Sequence, residues 1–207
     1  MQNSVVLYCQ VKVSMQTNAL TEVKKHLRPG RVYRREDLAQ WSASVDRHLK
    51  ALVGGGDLKK LQYGLYYCPK KLAFGEAPAS EHELVQAFLK TDHFVVTSPN
   101  LYNQLGLGTT QLYNKRVVYN RKRHGTFDLG GRVYHFERRM NVPRKLSKEF
   151  LLVDLVNELD HLAEDRDTVL ARVRENASQT DSRKLSRAVS LYANYSSRRF
   201  WKTMGYA

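Results

Sequence analysis

The sequence predicts an α+β protein, with an N-terminal winged helix-turn-helix followed by a small α/β domain and C-terminal helices. Three observations carry this expectation. Residues 17–71 spell helix, helix, helix, hairpin in that order. Positive charge is concentrated at the same end: residues 1–75 hold 13 Lys and Arg against 5 Asp and Glu, residues 76–145 hold 11 against 6, and residues 146–207 hold 10 against 9. Beyond a Gly- and Pro-containing connector at 72–80, strand-like and helical patterns mix before the chain turns helical from Ser147.

Residues 1–16 read as an extension with the alternation of a short strand. In the first helix Leu20, Val23 and Leu27 fall at i, i+3 and i+7, one helical face. Asn18 is its cap, and Pro29-Gly30 stops it. "RVYRREDLAQW" gives a short extended piece and a second short helix holding Leu38. A third helix starts near Ser42 and ends at Gly54-Gly55-Gly56. "DLKKL" and "YGLYYC" then read as a hairpin turning near Gln62-Tyr63-Gly64. The second domain spans 81–207. "EHELVQAFLK" is its first helix, "HFVVTS" a strand, and "SPNLYNQLGL" a short helix capped by Ser98 with Pro99 in its first turn. "KRVVYN" and "GRVYHFERR" are expected to be strands around a basic tip, "RKRHG". Leu155, Leu159, Leu162, Val169 and Val173 keep a helical stripe, and Leu185, Val189 and Tyr192 mark a last helix.

A winged helix-turn-helix lays the second helix of its motif in the DNA major groove. Here that is the third helix. Val45, Leu49 and Leu52 form its core face. Ala43, Arg47, Lys50 and Ala51 lie opposite, with Ser42 and Ser44 at the entry. Small entry residues let the backbone approach the groove. Arg47 suits bidentate pairing with guanine, and Lys50 suits a phosphate. The wing offers Lys59, Lys60, Gln62 and Tyr63, and the preceding helix offers Arg34 and Arg35 to phosphates. Asp46, the dissonant acid on this face, reads either as a contact to cytosine or as a salt bridge to Lys50 at i+4, with the salt bridge weighed ahead. Lys115, Arg116, Arg121, Lys122 and Arg123 are expected to gather at one hairpin tip as a second basic surface. Arg198, Arg199 and Lys202 alternate with Tyr195, Phe200 and Trp201. The three aromatics are weighed as core packing ahead of base stacking.

"PGRVYRREDLAQWSASVDRHLKALVGGGDLKKLQYGLYYCPK" resembles the N-terminal winged helix of AbiEi-type antitoxins. The matching features are Pro29-Gly30, Asp37-Leu38, the helix within Ser42–Val53, Gly56-Asp57-Leu58, Gly64-Leu65-Tyr66 and Pro69. The likeness extends to "LGLGTTQL" at 105–112, to "EFLLVDLVNELDHLAEDRDTVL" and to "YANYSSRRF". It implies an antitoxin encoded beside a nucleotidyltransferase toxin. Such a protein binds inverted repeats in its own promoter, represses the gene pair, and neutralises the toxin through its C-terminal domain without a stable complex. Double-stranded DNA and the toxin are the implied partners, and a dimer on paired half-sites is a further expectation.

With 207 residues, 42% of them hydrophobic, the chain has enough apolar material for real cores. A net charge of +14 favours a polyanionic partner. No apolar run spans a bilayer, no secretory signal opens the chain, and two cysteines, Cys9 and Cys68, suit a reducing cytoplasm. "LGLGTTQ" lacks the lysine of a phosphate-binding loop. His161 and Asp165, at i and i+4, are a weak metal pair. No nucleophile is matched to a base. The expectation is a non-enzyme without cofactor or metal. The rivals are an accessory module of a nucleic-acid-processing enzyme and an RNA-binding regulator.

Overall fold

The computed structural model describes residues 19–107 and 113–206 of the chain. The strand expected within 1–16, the Asn18 cap and the turn at Gly108 lie outside the described residues. The chain divides into two compact units: one runs through Asp92 and includes Asp128–Arg132, and the other comprises His93–Phe127 with Val133 onward. The α+β class is as expected.

In the first unit, helix α1 covers residues 19–26. Strand β1 (Val32–Arg34), helix α2 (Arg35–Ala39), helix α3 (Val45–Gly54), and strands β2 (Lys59–Gln62) and β3 (Leu65–Tyr67) follow. The three strands form one sheet in the order β1-β3-β2, and both pairs are antiparallel. Val23, Leu38, Val45, Leu49, Leu52 and Leu58 form a shared core beneath the helices. The Tyr33 hydroxyl closes the end of α1. It donates to the His26 carbonyl at 3.1 Å and accepts the Arg28 N–H at 2.8 Å. His26 also stacks on Trp41, with ring centroids 4.4 Å apart.

The stretch expected to be a connector, 72–80, is partly strand. β4 (Lys70–Leu72) and β5 (Gly75–Ala77) make a separate antiparallel hairpin. The helix expected to open the second domain, α4 (Glu81–Leu89), belongs to the first unit. The helix buries Leu84, Val85 and Leu89, and its ion pairs run to the same unit. Arg31 reaches Glu83 at 2.7 Å, and Lys90 reaches Glu36 at 2.9 Å. The Tyr67 hydroxyl also donates to the Ala77 carbonyl at 2.6 Å, tying β5 to β3.

The second unit is built on a four-stranded sheet in the order β6-β7-β9-β8, from β6 (Phe94–Thr97), β7 (Arg116–Asn120), β8 (Gly125–Asp128) and β9 (Val133–Arg138). A 3-10 helix over Pro99–Leu105 follows β6 as expected, with the Ser98 side chain accepting from the Asn100 N–H. β7 and β9 are parallel neighbours, and β8 occupies the far edge. "KRVVYN" and "GRVYHFERR" are therefore adjacent strands but not the two arms of a hairpin. Helices α5 (Lys148–Asn157), α6 (Arg166–Ser178), α7 (Ser182–Tyr192) and α8 (Tyr195–Thr203) complete the unit. The stripe from Leu155 to Val173 is broken by a 3-10 turn at Leu159–His161 and an extended Leu162.

Every residue from Phe150 to Val156 is buried, so α5 is a central helix with no solvent face. Asp154 is the polar exception. Its carboxylate accepts from the Tyr102 hydroxyl at 2.9 Å, the Tyr119 hydroxyl at 3.1 Å and Arg139 at 2.7 Å. Arg139 also reaches Glu158 at 2.8 Å and lies 3.4 Å above the Tyr119 ring. Burial pushes the Asp154 carboxyl up, against the pull of Arg139 and the two hydroxyls. Burial and the carboxylate together push both tyrosines up, so they remain protonated donors. A buried ion with three donors is a satisfied group, the condition under which a core tolerates charge.

Candidate nucleic-acid interface

The turn between α2 and α3 sets the presentation of α3. The buried Ser42 and His48 bond each other, Oγ to Nδ1, at 2.8 Å. The Ser44 N–H donates to the same Ser42 oxygen at 3.2 Å. Ser42, expected to touch DNA, is instead a staple inside the turn. The third helix accordingly starts at Val45 rather than near Ser42. Val45, His48, Leu49 and Leu52 face the core. Ala43, Ser44, Arg47, Lys50 and Ala51 are exposed, as their spacing predicts.

Asp46 pairs with Arg35 rather than Lys50. Two guanidinium nitrogens of Arg35 meet the two Asp46 oxygens at 2.6 Å each. A bidentate fork satisfies both planar groups, a geometry that a lysine ammonium does not offer. Arg35 depresses the Asp46 carboxyl chiefly through that hydrogen bond. Arg34 is engaged too, with Asp37 at 2.7 Å and Glu36 at 2.8 Å. Asp37 also accepts the Arg34 backbone N–H at 2.9 Å, anchoring the start of α2. Burial pushes the Asp37 carboxyl up, but the Arg34 contacts outweigh it and hold the group below its ordinary value. Arg34 and Arg35, expected to hold phosphates, are therefore ion-paired at the base of α2. Arg47 and Lys50 carry no ion pair among the described residues, so the bare cations on this face are those of α3.

The β2–β3 hairpin turns at Tyr63-Gly64, where Gly64 takes a φ of +73° that a side chain would strain. Tyr63 is 90% exposed at this tip, and the Lys60 ammonium lies 5.9 Å from its ring centroid. Gln62 is half-buried and its side-chain oxygen is fully enclosed, so it offers a partner little. Lys59 is paired with Glu76 of β5. The interface thus narrows to Ala43, Ser44, Arg47, Lys50, Lys60 and Tyr63. The second hairpin adds residues that the sequence reading passed over. Lys70, Lys71, Leu72 and Phe74 are all exposed, Phe74 completely. The sequence signal for this hairpin is Gly75, which follows Leu72-Ala73-Phe74 and precedes Glu76-Ala77-Pro78.

The other basic surface does not assemble as expected. Lys115 and Arg116 stand at the start of β7, and Arg121, Lys122 and Arg123 follow its end. At about 3.3 Å per residue, the strand holds these groups far apart. The buried Asn120 organises the second group. Its Oδ1 accepts from the Lys122 and Arg123 N–H groups at 2.8 and 2.6 Å. His161 and Asp165 do not share a helix. Asp165 caps α6 by accepting from the Thr168 N–H at 2.8 Å. No three His, Cys, Asp or Glu side chains are grouped as a metal would require among the described residues. Within the same residues, no helix is long and apolar enough to cross a membrane.

No family model matches the chain, and no curated protein does. Among solved structures, the crystal structure of the RV2827C protein from Mycobacterium tuberculosis is similar. The sequences are 16% identical, the TM-score is 0.50, and the match covers 83% of this chain and 69% of that one. At that identity the likeness speaks to the fold alone.

Proposed function

We propose that the protein is a DNA-binding antitoxin that represses its own promoter and counteracts a nucleotidyltransferase toxin. In this reading the first unit is a winged helix-turn-helix, with α3 as the reading helix and β2–β3 as the wing. The observation that carries it is the α3 face: Arg47 and Lys50 stand exposed and without an ion pair among the described residues, while acids neutralise the cations at the base of α2. A face of that kind suits a phosphate backbone with a guanine edge below it. The order helix, strand, helix, helix, strand, strand, with a three-stranded sheet, supports the winged-helix assignment. The antitoxin part rests on the resemblance to AbiEi-type proteins.

A mobility-shift titration tests the DNA half, using the duplex upstream of the gene against random duplex as competitor. Preferential retention of the upstream duplex is expected. Equal competition by random DNA would exclude an autorepressor. For the antitoxin half, the double variant Arg47→Ala, Lys50→Ala is co-expressed with the neighbouring toxin from a foreign promoter. It should lose the shift and still protect cells. A folded double variant that no longer protects would tie neutralisation to DNA binding.

A further inference from the structure

The strongest unassigned surface lies in the second unit, on its last two helices. Between residues 182 and 206 the chain carries Arg183, Lys184, Arg187, Arg198, Arg199 and Lys202 and no Asp or Glu. All six cations are exposed. The nearest acid in sequence, Asp181, caps α7 by accepting from the Lys184 N–H at 3.0 Å. On α7 the buried Leu185, Ala188 and Val189 define the inner face, which turns Arg183, Lys184, Arg187 and Leu191 outward. On α8 Ser197 and Trp201 are buried, so Tyr195, Arg198, Arg199 and Lys202 share the opposite face. Trp201 and Phe200 pack inward as expected. Tyr195 does not: it is 96% exposed.

The junction between the helices is fixed rather than loose. Asn157 of α5 donates to the Tyr192 carbonyl at 2.9 Å and accepts from the Asn194 N–H at 3.0 Å and the Ser197 hydroxyl at 2.6 Å. Asn194 in turn caps α8 through the Ser197 N–H at 2.8 Å. Holding this turn holds Tyr195, the first residue of α8, in place. A large ring left in water and flanked on its own helix by three cations has no packing role within the unit.

We infer that the outer faces of α7 and α8 bind a single-stranded nucleic acid, with an unpaired base stacked on Tyr195 and phosphates on the arginines around it. Aromatic rings on a cationic track are how proteins hold unpaired strands, because every base has a π-face and every linkage a charge. An exposed ring favours an unpaired base over a duplex, whose bases are already stacked. The surface belongs to the second unit and does not depend on the DNA-reading role of α3.

The test uses the full chain carrying Arg47→Ala and Lys50→Ala, so that binding through α3 is removed. Fluorescence anisotropy is measured with labelled oligouridylate and oligodeoxyuridylate, which differ only in the 2′-hydroxyl, and with labelled polyglutamate as the acidic-protein control. Tyr195→Ala should weaken binding of both oligonucleotides about tenfold, and Tyr195→Phe should restore it. Arg198→Gln with Arg199→Gln should flatten the salt dependence by about 1.4 in log–log slope. These side chains are exposed, so melting temperatures should match the parent. Preference for one oligonucleotide identifies a role for the 2′-hydroxyl and leaves the surface assigned. Unchanged affinity in Tyr195→Ala, or polyglutamate bound as tightly as the oligonucleotides, would overturn the inference.

Discussion

The two units handle charge in opposite ways. The first keeps its ions at the surface, pairing Arg34 with Asp37 and Arg35 with Asp46 and leaving Arg47 and Lys50 bare. The second takes one carboxylate into its core, where Asp154 is fully buried against Arg139 and two tyrosines. Surface pairing adds little stability but decides which cations remain available to a partner. Burial makes the pair a structural necessity, because losing either member strands the other in a medium that solvates it poorly. Arg35, Arg47 and Arg139 thus stand in three different settings: one paired at the surface, one without an acid among the described residues, and one paired with a buried carboxylate.

Substitutions that remove one cation at a time sharpen the contrast. The largest effect is expected from Arg139→Met, which leaves Asp154 buried without its counter-ion. The cost is about 3–5 kcal/mol in chemical denaturation, concentrated in the second unit. A loss below about 1 kcal/mol would mean that the tyrosine hydroxyls alone hold the carboxylate.

If the exposed face of α3 reads DNA as proposed, Arg47→Ala should cost about 1–3 kcal/mol of specific DNA affinity and relax sequence preference, with the fold intact. Lys60→Ala, on the wing, should weaken all duplexes alike. If Arg47→Ala weakens specific and random duplexes equally, Arg47 is a phosphate contact and base reading lies elsewhere.

Arg35→Ala should leave stability almost unchanged, since its pair with Asp46 is solvent-exposed. It also uncovers Asp46 on α3, so duplex affinity should fall through repulsion of phosphate. The double variant Arg35→Ala, Asp46→Ala should recover that affinity. Failure to recover would make Arg35 itself a DNA contact.

The pH response should separate the units by sign. Asp37 and Asp46 have carboxyls depressed below the ordinary aspartate value of 3.8, so what they contribute is present above that value. It is lost as pH falls through their lowered folded values. Asp154 is raised by burial, so its protonation brings no such loss on the way down. Acid titration followed by amide exchange should therefore loosen α2 and α3 before α5. The reverse order would contradict the contrast between surface and buried pairing.

The order of elements from α1 to β3 was legible because each core position recurs at helical or strand spacing: Val23, Leu38, Leu49 and Leu52 are all buried where the pattern puts them. The exposed face of α3 follows from the same periodicity. Pairing was less legible. Asp46 and Arg35 are on different helices, and a pattern read along one helix offers only Lys50 as partner. Ser42 looks like a helix entry residue, and only the inward turn of His48 gives its hydroxyl another task. In the second unit, the strands at 116–120 and 133–138 were evident. Their parallel pairing was not, because β8 between them is short and weakly apolar. The buried Asp154 sits in "FLLVDLV", where an acid in an apolar run gives no hint of its partners.

The most direct test of DNA binding by the α3 face is the salt dependence of duplex affinity, measured by anisotropy on the upstream promoter for the native chain and for Arg47→Ala, Lys50→Ala. Each phosphate contact releases counterions worth about 0.9 in the log–log slope. The expected result is a steep slope for the native chain, lowered by about 1 in the double variant through the lost Lys50 phosphate contact, together with loss of preference for the promoter through the lost Arg47 base contact. A native chain whose affinity does not change with salt, or a double variant with the native slope and preference, would contradict it.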